Sequence, residues 1–299
     1  MRVTTNRTVQ ALLLGLLLLL PASYAQEQVN VAKVQQAAEQ GDAVAQFKLG
    51  AMYDRGKGVP QDDKQAVAWY RKAAEQGYSQ AYFDLRAAYL KGQGVPQDDK
   101  QAAVWYRKAA EQGDYIAQSI LGSLYAEGKG VPQDDEQAIA WYRKAAEKGS
   151  HHAQHNLGYM YYTGRGVPQD YKQAVAWYRK AAEQGDSNAQ HNLGHIYARG
   201  EGVPQNHKQA VAWYRKAAEQ GHAGAQHNLG VMYIKGEGVP QDHLQAYAWF
   251  SVAAANGAPQ SPKDRDAVAA RLSPQQLERT QKTAAEYFEK YRAETGDNR

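Results

Sequence analysis

The sequence predicts an all-α fold, a solenoid of six 36-residue helix–turn–helix repeats with capping helices at both ends. Three observations predict it. The tryptophans Trp69, Trp105, Trp141, Trp177, Trp213 and Trp249 are spaced 36 residues apart every time. Gly-Val-Pro recurs in one register at 58–60, 94–96, 130–132, 166–168, 202–204 and 238–240. Apolar residues inside each unit follow a helical period. A fixed period of this size marks stacked units, none of which buries its apolar face alone.

The first 25 residues stand apart from the array. Arg2 and Arg7 form a basic start, Ala11 to Leu20 is nearly all leucine, and small residues at Ser23 and Ala25 fit a cleavage site. This pattern predicts a secretory signal peptide with Gln26 as the mature N-terminus. The apolar run is short of the ~20 residues that span a bilayer, so no stable membrane insertion is expected after cleavage. Export to the periplasm, the cell surface or the medium follows. Cleavage removes two arginines and no acid, taking the formal charge from +4 to +2. Charges of both signs are interspersed through every repeat, so no basic face for nucleic acid is expected. The chain has no cysteine, which rules out disulfides, cysteine–zinc sites and lipoprotein attachment and leaves packing alone to hold the fold.

Residues 26–41 are read as an N-terminal capping helix, followed by repeats at 42–77, 78–113, 114–149, 150–185, 186–221 and 222–257. In the first repeat, Ala45, Leu49 and Tyr53 lie four apart and form the apolar stripe of a first helix, A. Gly50 lies beside that stripe, where it permits close approach. Gly56 and Gly58 end helix A, and Val59-Pro60 turns the chain. Helix B starts at Asp62, with Gln65 placed for a capping box; the pairing recurs to Asp242/Gln245. Ala66, Trp69, Tyr70, Ala73 and Ala74 form its buried side. Arg71 and Glu75, with their copies, are read as surface ion pairs worth a few tenths of a kcal/mol. Residues 258–299 leave the pattern. Ser273-Pro274-Gln275-Gln276 opens a final helix, on which Leu277, Ala284, Phe288 and Tyr291 seal the last repeat.

The unit resembles the tetratricopeptide class, and more closely the Sel1-like repeat family. The resemblance rests on Ala-Gln-x-x-Leu-Gly-x-x-Tyr at 153–161, Gly-x-Gly-Val-Pro-Gln-Asp at 164–170, Ala-x-x-Trp-Tyr-x-x-Ala-Ala at 174–182, and the period of 36. It implies a right-handed α/α superhelix with the A helices on the concave side, and an interaction scaffold gripping another protein, from the bacterial envelope or a host.

Positions that vary between repeats are free of the demands of stacking, so specificity is sought there. One helix-A ladder reads Phe47, Phe83, Ser119, His155, His191, His227; another, on the same face, reads Ala51, Ala87, Ser123, Tyr159, His195, Val231. With Asn156, Asn192 and Asn228 alongside, these give a groove aromatic at its start and histidine-rich at its end. Rings supply contact area and amides adaptable hydrogen bonds to a protein segment. The alternative is inter-repeat packing, an even balance for Phe47 and Phe83; the histidines are read as exposed, which would make binding pH-sensitive. Repeat two departs from the pattern, with Arg86 in place of glycine and Tyr82 in place of glutamine, either a local adjustment or a specialised contact.

All nine histidines fall between 151 and 243. His151/His155 and His191/His195 have the i, i+4 spacing of metal ligands, but no third ligand lies nearby in sequence. Helices packed roughly 8–10 Å apart make a set shared between repeats hard to close. No metal and no cofactor are therefore expected. Asp62-Asp63 and its copies are explained by capping. No serine is followed three residues on by lysine, and Lys282-Thr283 is followed by alanine, so a serine acylation motif is missing. The β-lactam binding or hydrolysis that the resemblance raises belongs to cysteine-rich members. No enzymatic activity is expected. Peptidoglycan or glycan binding through Tyr82, Tyr115, Tyr159 or Tyr162 is the remaining alternative.

Overall fold

A computed structural model describes residues 22–292, with side chains from residue 30 onward. The expected signal peptide lies, up to residue 21, outside the described residues. Helix α1 (Ala22–Glu39) precedes six pairs: α2 (Ala43–Arg55) and α3 (Asp63–Glu75), α4 (Ser79–Lys91) and α5 (Asp99–Glu111), α6 (Tyr115–Glu127) and α7 (Asp135–Glu147), α8 (His151–Thr163) and α9 (Tyr171–Glu183), α10 (Ser187–Arg199) and α11 (His207–Glu219), α12 (Ala223–Lys235) and α13 (His243–Ala255). Two closing helices, α14 (Ser261–Ala269) and α15 (Pro274–Tyr291), follow. No strand occurs among the described residues. The helices gather into two compact units, one ending at Gln133 and one beginning at Asp134.

Each A helix stops at a glycine in the left-handed region, such as Gly56 with φ 63°, a conformation that costs glycine nothing. Each B helix opens on a side-chain cap: the Asp62 carboxylate accepts from the amides of Lys64 and Gln65. The reciprocal half of the expected box is replaced by tertiary contact, because the Asp62 amide donates instead to the Tyr53 carbonyl of helix A at 3.0 Å. Among the described residues a complete capping box forms only at Ser273 and Gln276.

Inside a repeat, helix A lays its glycine on the ring of a B-helix tyrosine. A Cβ on Gly194 would stand 2.5 Å from Tyr214 Cδ1, and Gly50, Gly158 and Gly230 meet Tyr70, Tyr178 and Phe250 in the same way. Between repeats, the contact is made by a buried glutamine missed by the apolar stripe. Gln190 Nε2 donates to the Ala182 carbonyl at the end of the preceding B helix, and Gln190 Oε1 accepts from Gln220 at the end of its own. Gln46 with Gln76, and Gln154 with Gln184, repeat the arrangement. Repeat two substitutes Tyr82, which bonds Gln112 instead. In repeat three Gln118 reaches Ala110, but its Oε1 is buried without a partner; the residue at the Gln76 position there is Lys148.

Three packing expectations are corrected. Arg71 does not pair with Glu75; its guanidinium donates to the Tyr89 hydroxyl of the next A helix, 18 residues on, as Arg179 does to Tyr197. The tryptophans are not uniformly core. Four are half-buried, with the lysine one turn on over the outer ring face, Lys72 lying 3.8 Å from the Trp69 centroid. Val67, absent from the expected buried side, is buried in its place. On Trp249 that outer face is taken by Tyr287 and Tyr291 of α15. Phe288, expected to seal the end, is 36% exposed, and Tyr287 does its work.

Gly194→Ala is expected to cost roughly 1–3 kcal/mol, the range for overpacking a filled core, measured by urea denaturation. Gln190→Ala, which strips the Ala182 carbonyl of its side-chain donor and leaves the Gln220 amide only a 3.4 Å bond to the Lys216 carbonyl, is expected to cost about 1 kcal/mol more than Gln118→Ala, whose Oε1 has no partner to lose.

Candidate partner-binding surface

The twelve singled-out residues divide between the units. Phe47, Tyr82, Phe83 and Arg86 belong to the first, and the histidines, asparagines and Tyr159 to the second. Phe47 is half-buried against Tyr70 and Tyr78, with centroids 5.5 and 4.9 Å away, and Phe83 meets Tyr106 edge-on at 6.5 Å. Tyr82 is withdrawn from any partner: it is 2% exposed and stacked on Trp105. Arg86 does not swing free into solvent. Its guanidinium lies 4.9 Å from the Tyr106 centroid, and its Nε is buried without a partner.

In the second unit the expected exposed ladder is instead an internal one. His155, His191 and His227 are half-buried over Tyr178, Tyr214 and Phe250, with centroids 5.3–5.8 Å apart. Asn192 Nδ2 donates to His155 Nε2 at 3.3 Å, His191 Nδ1 faces Asn192 Oδ1 at 3.4 Å, and Asn228 Nδ2 donates to His191 Nε2 at 3.1 Å. The chain of contacts runs through three repeats and requires both imidazoles to be neutral. His227 bonds outside this chain, to Ser261 Oγ at 2.9 Å. The amides thus serve neighbouring repeats rather than a visitor; Asn192 and Asn228 also meet the Tyr178 and Tyr214 hydroxyls, and Asn156 the His155 ring. The first unit shows the cost of lacking them: Ile120 stands at the asparagine position, and the Tyr106 hydroxyl is buried unpaired.

Burial and the stacked His222 ring, 4.6 Å away, push His191 down to about 4. Burial lowers His155 and His195 as well. In each of the two i, i+4 histidine pairs one imidazole is already engaged, since His155 and His191 spend Nε2 on asparagines.

What stays open is a cleft of about 240 Å³ lined by Tyr159, Tyr162, Tyr178, His191, Asn192, His195 and Ile196. It gathers four of the candidates, and Tyr159 at its lip is 47% exposed. Its wall depends on Glu201, which sequence reasoning overlooked. Glu201 accepts from the Tyr162 hydroxyl of the preceding repeat at 2.8 Å, pairs with Arg199 at 2.8 Å, and lies 3.9 Å from His195 Nδ1. The signal was present: this position reads Lys57, Gln93, Lys129, Arg165 and then turns acidic at Glu201 and Glu237. A wider depression in the first unit is lined by Val104, where the other repeats carry alanine, and by the recurring turn at Gly130, Val131 and Pro132, and it holds none of the candidates.

Comparison with known proteins agrees with this architecture. The Sel1 repeat family model matches residues 43–78, 80–114, 116–150, 151–186, 187–222 and 223–257. Among solved structures, a Sel1 repeat protein from Oxalobacter formigenes is 39% identical with a TM-score of 0.64, over 77% of this chain. The chain spans 66% of the length of that protein. The c5321 protein of uropathogenic Escherichia coli, a protective antigen displaying the same repeat fold, is 32% identical over 89% of this chain and 73% of its own, with a TM-score of 0.41. A putative Sel1 repeat protein from Klebsiella pneumoniae is 25% identical over 68% of this chain and 99% of its own, with a TM-score of 0.43. Comparison with curated proteins gives no match. With six consecutive repeats matched across residues 43–257, the chain belongs to the Sel1 repeat family.

Proposed function

We propose that this protein is an exported interaction scaffold that holds a segment of another protein on its A-helix surface, centred on the cleft between Tyr159 and His195. Sel1-repeat proteins are generally protein-interaction scaffolds, and the fold is typically non-catalytic. The observation that carries the reading is that cleft. It presents an exposed tyrosine beside neutral imidazoles, and its walls are fixed by Glu201 and by the histidine–asparagine chain. An aromatic anchor on a rigid, partly desolvated floor is the composition of an interface hot spot. The A-helix face is the one expected to be concave. Export is supported by Arg2, Arg7, the apolar run 11–20 and the small residues near Ala25; a partner in the bacterial envelope or a host protein fits that route.

Glycan binding ranks below it. Of the four tyrosines it would use, Tyr82 is buried and Tyr162 is held by Glu201. Tyr115, 45% exposed, and Tyr159 remain, one in each unit.

Peptides selected from a random display library on the intact protein are expected to lose about 30-fold in affinity on Tyr159→Ala, the scale of a 2 kcal/mol hot spot, with helicity unchanged. Equal binding to the variant, or selection of muropeptides but not peptides, would sink the reading. The cleft is also expected to be acid-labile. His191 is surrounded by His222, His195, Asn192, Asn228 and Tyr214 and titrates near 4 rather than 6.5, so the unfolded chain takes up the proton first. Stability contributed by the neutral ring is complete above 6.5 and is lost as pH falls toward 4. By pH 5 the loss is on the order of 2 kcal/mol for His191, read as a fall in Tm that His191→Gln reduces.

A further inference from the structure

The second unit holds a cluster that the cleft does not use. His151 and His152 open α8, and Asp186 is the N-cap of α10 in the next repeat. One ligand atom from each of the three lies within 4.8 Å of the others, and His151 Nδ1 is 3.1 Å from Asp186 Oδ2. The residues are 35 apart in sequence, yet stacking brings them together, because each repeat sets its own N-cap beside the start of the preceding A helix. The sequence argument against a shared ligand set therefore fails at this junction.

We propose that His151, His152 and Asp186 form a binding site for a late first-row divalent metal ion, Zn²⁺ foremost. Two imidazole nitrogens and one carboxylate oxygen are the donor set such ions take, with metal–ligand distances of about 2.0–2.2 Å and water completing an open tetrahedron. A 3.1 Å separation of the nitrogen and oxygen accommodates an ion bound to both. The carboxylate is already aimed: Asp186 Oδ1 accepts from the Ala189 amide at 2.8 Å, which fixes the group and leaves Oδ2 for the ion. Its side chain is only 5% exposed, while the His151 side chain is 45% exposed and His152 is open to solvent, so an ion enters from the histidine side.

The array supplies its own control. Asp42 and Asp114 cap their A helices through the same side-chain bond, and no histidine pair precedes either. At the positions of His151 and His152 the other repeats carry Ala43-Val44, Ser79-Gln80, Tyr115-Ile116, Ser187-Asn188 and Ala223-Gly224. Stacking therefore does not need the pair. An anion is the competing occupant, since helix N-termini favour negative charge. The nearly buried Asp186 carboxylate repels it. The same helix ends weaken cation binding, so this site holds its ion less tightly than a four-ligand structural zinc site.

The inference stands apart from the peptide-binding reading, and its test uses metal alone. Tag-free, chelator-treated full chain is titrated with ZnCl₂ by calorimetry, and Co²⁺ is added in parallel to read visible bands of tetrahedral coordination. One ion per chain is expected. His152→Ala removes an exposed ligand and Asp186→Asn keeps the helix cap while removing the charge. Each is expected to weaken binding more than 10-fold with Tm in metal-free buffer near that of the parent, and His243→Ala to leave it unchanged. Absence of saturable binding, or equal affinity in His152→Ala and Asp186→Asn, overturns the site.

Discussion

From the fourth repeat onward a buried glutamine holds each repeat to the one before it, and most of that packing hangs from the contact. The last carbonyls of a helix have no partner within it. At a B-helix end packed against the following repeat, water cannot reach all of them. The side-chain amide of Gln154, Gln190 or Gln226 gives one of them a second donor, beside the turn amide of Gly149, Gly185 or Gly221, and a glutamine or asparagine at the end of its own B helix occupies the other end of the amide. One residue thereby fixes three helices in register. Alanines around it allow the close approach, and the glycine-on-tyrosine contact sets the helix pair that presents it.

The fold was legible because stacking repeats its demands. Tryptophan spacing, Gly-Val-Pro and the alanine pairs each report a constraint met six times over, and periodicity exposes such constraints without any knowledge of contacts. The glutamine escaped notice because the apolar stripe is sought among apolar residues, and a polar residue wins a core position only when every bond it needs is supplied. Arg71 escaped for a related reason: its nearest acid in sequence is Glu75, but a partly sheltered tyrosine hydroxyl in the next repeat is the better acceptor than a solvated carboxylate.

The candidate site was legible in part. Variation between repeats pointed to His155, His191, Tyr159 and His195, and the structure brings three of those four to one cleft. Variation does not separate residues that meet visitors from residues that adapt one repeat to the next. The histidine–asparagine chain is of the second kind, because His155 and His191 bond Asn192 and Asn228 across the junctions they share. Glu201 shows the complementary case, a turn residue whose change of sign repositions a tyrosine 39 residues away.

The end of the array is closed by imitation. Tyr287 and Tyr291 of α15 cover Trp249 where a lysine covers the other indoles, and the Tyr291 carbonyl accepts from both Gln226 and Asn256. The terminator thus engages the side chains of a repeat unit without regard to how many units precede it. Copy number is consequently a neutral quantity for this architecture. Loss or duplication of one 36-residue block in the gene re-creates the contacts that the repeats share and still finds the same stop, so the length of the array can drift over generations while its end stays sealed.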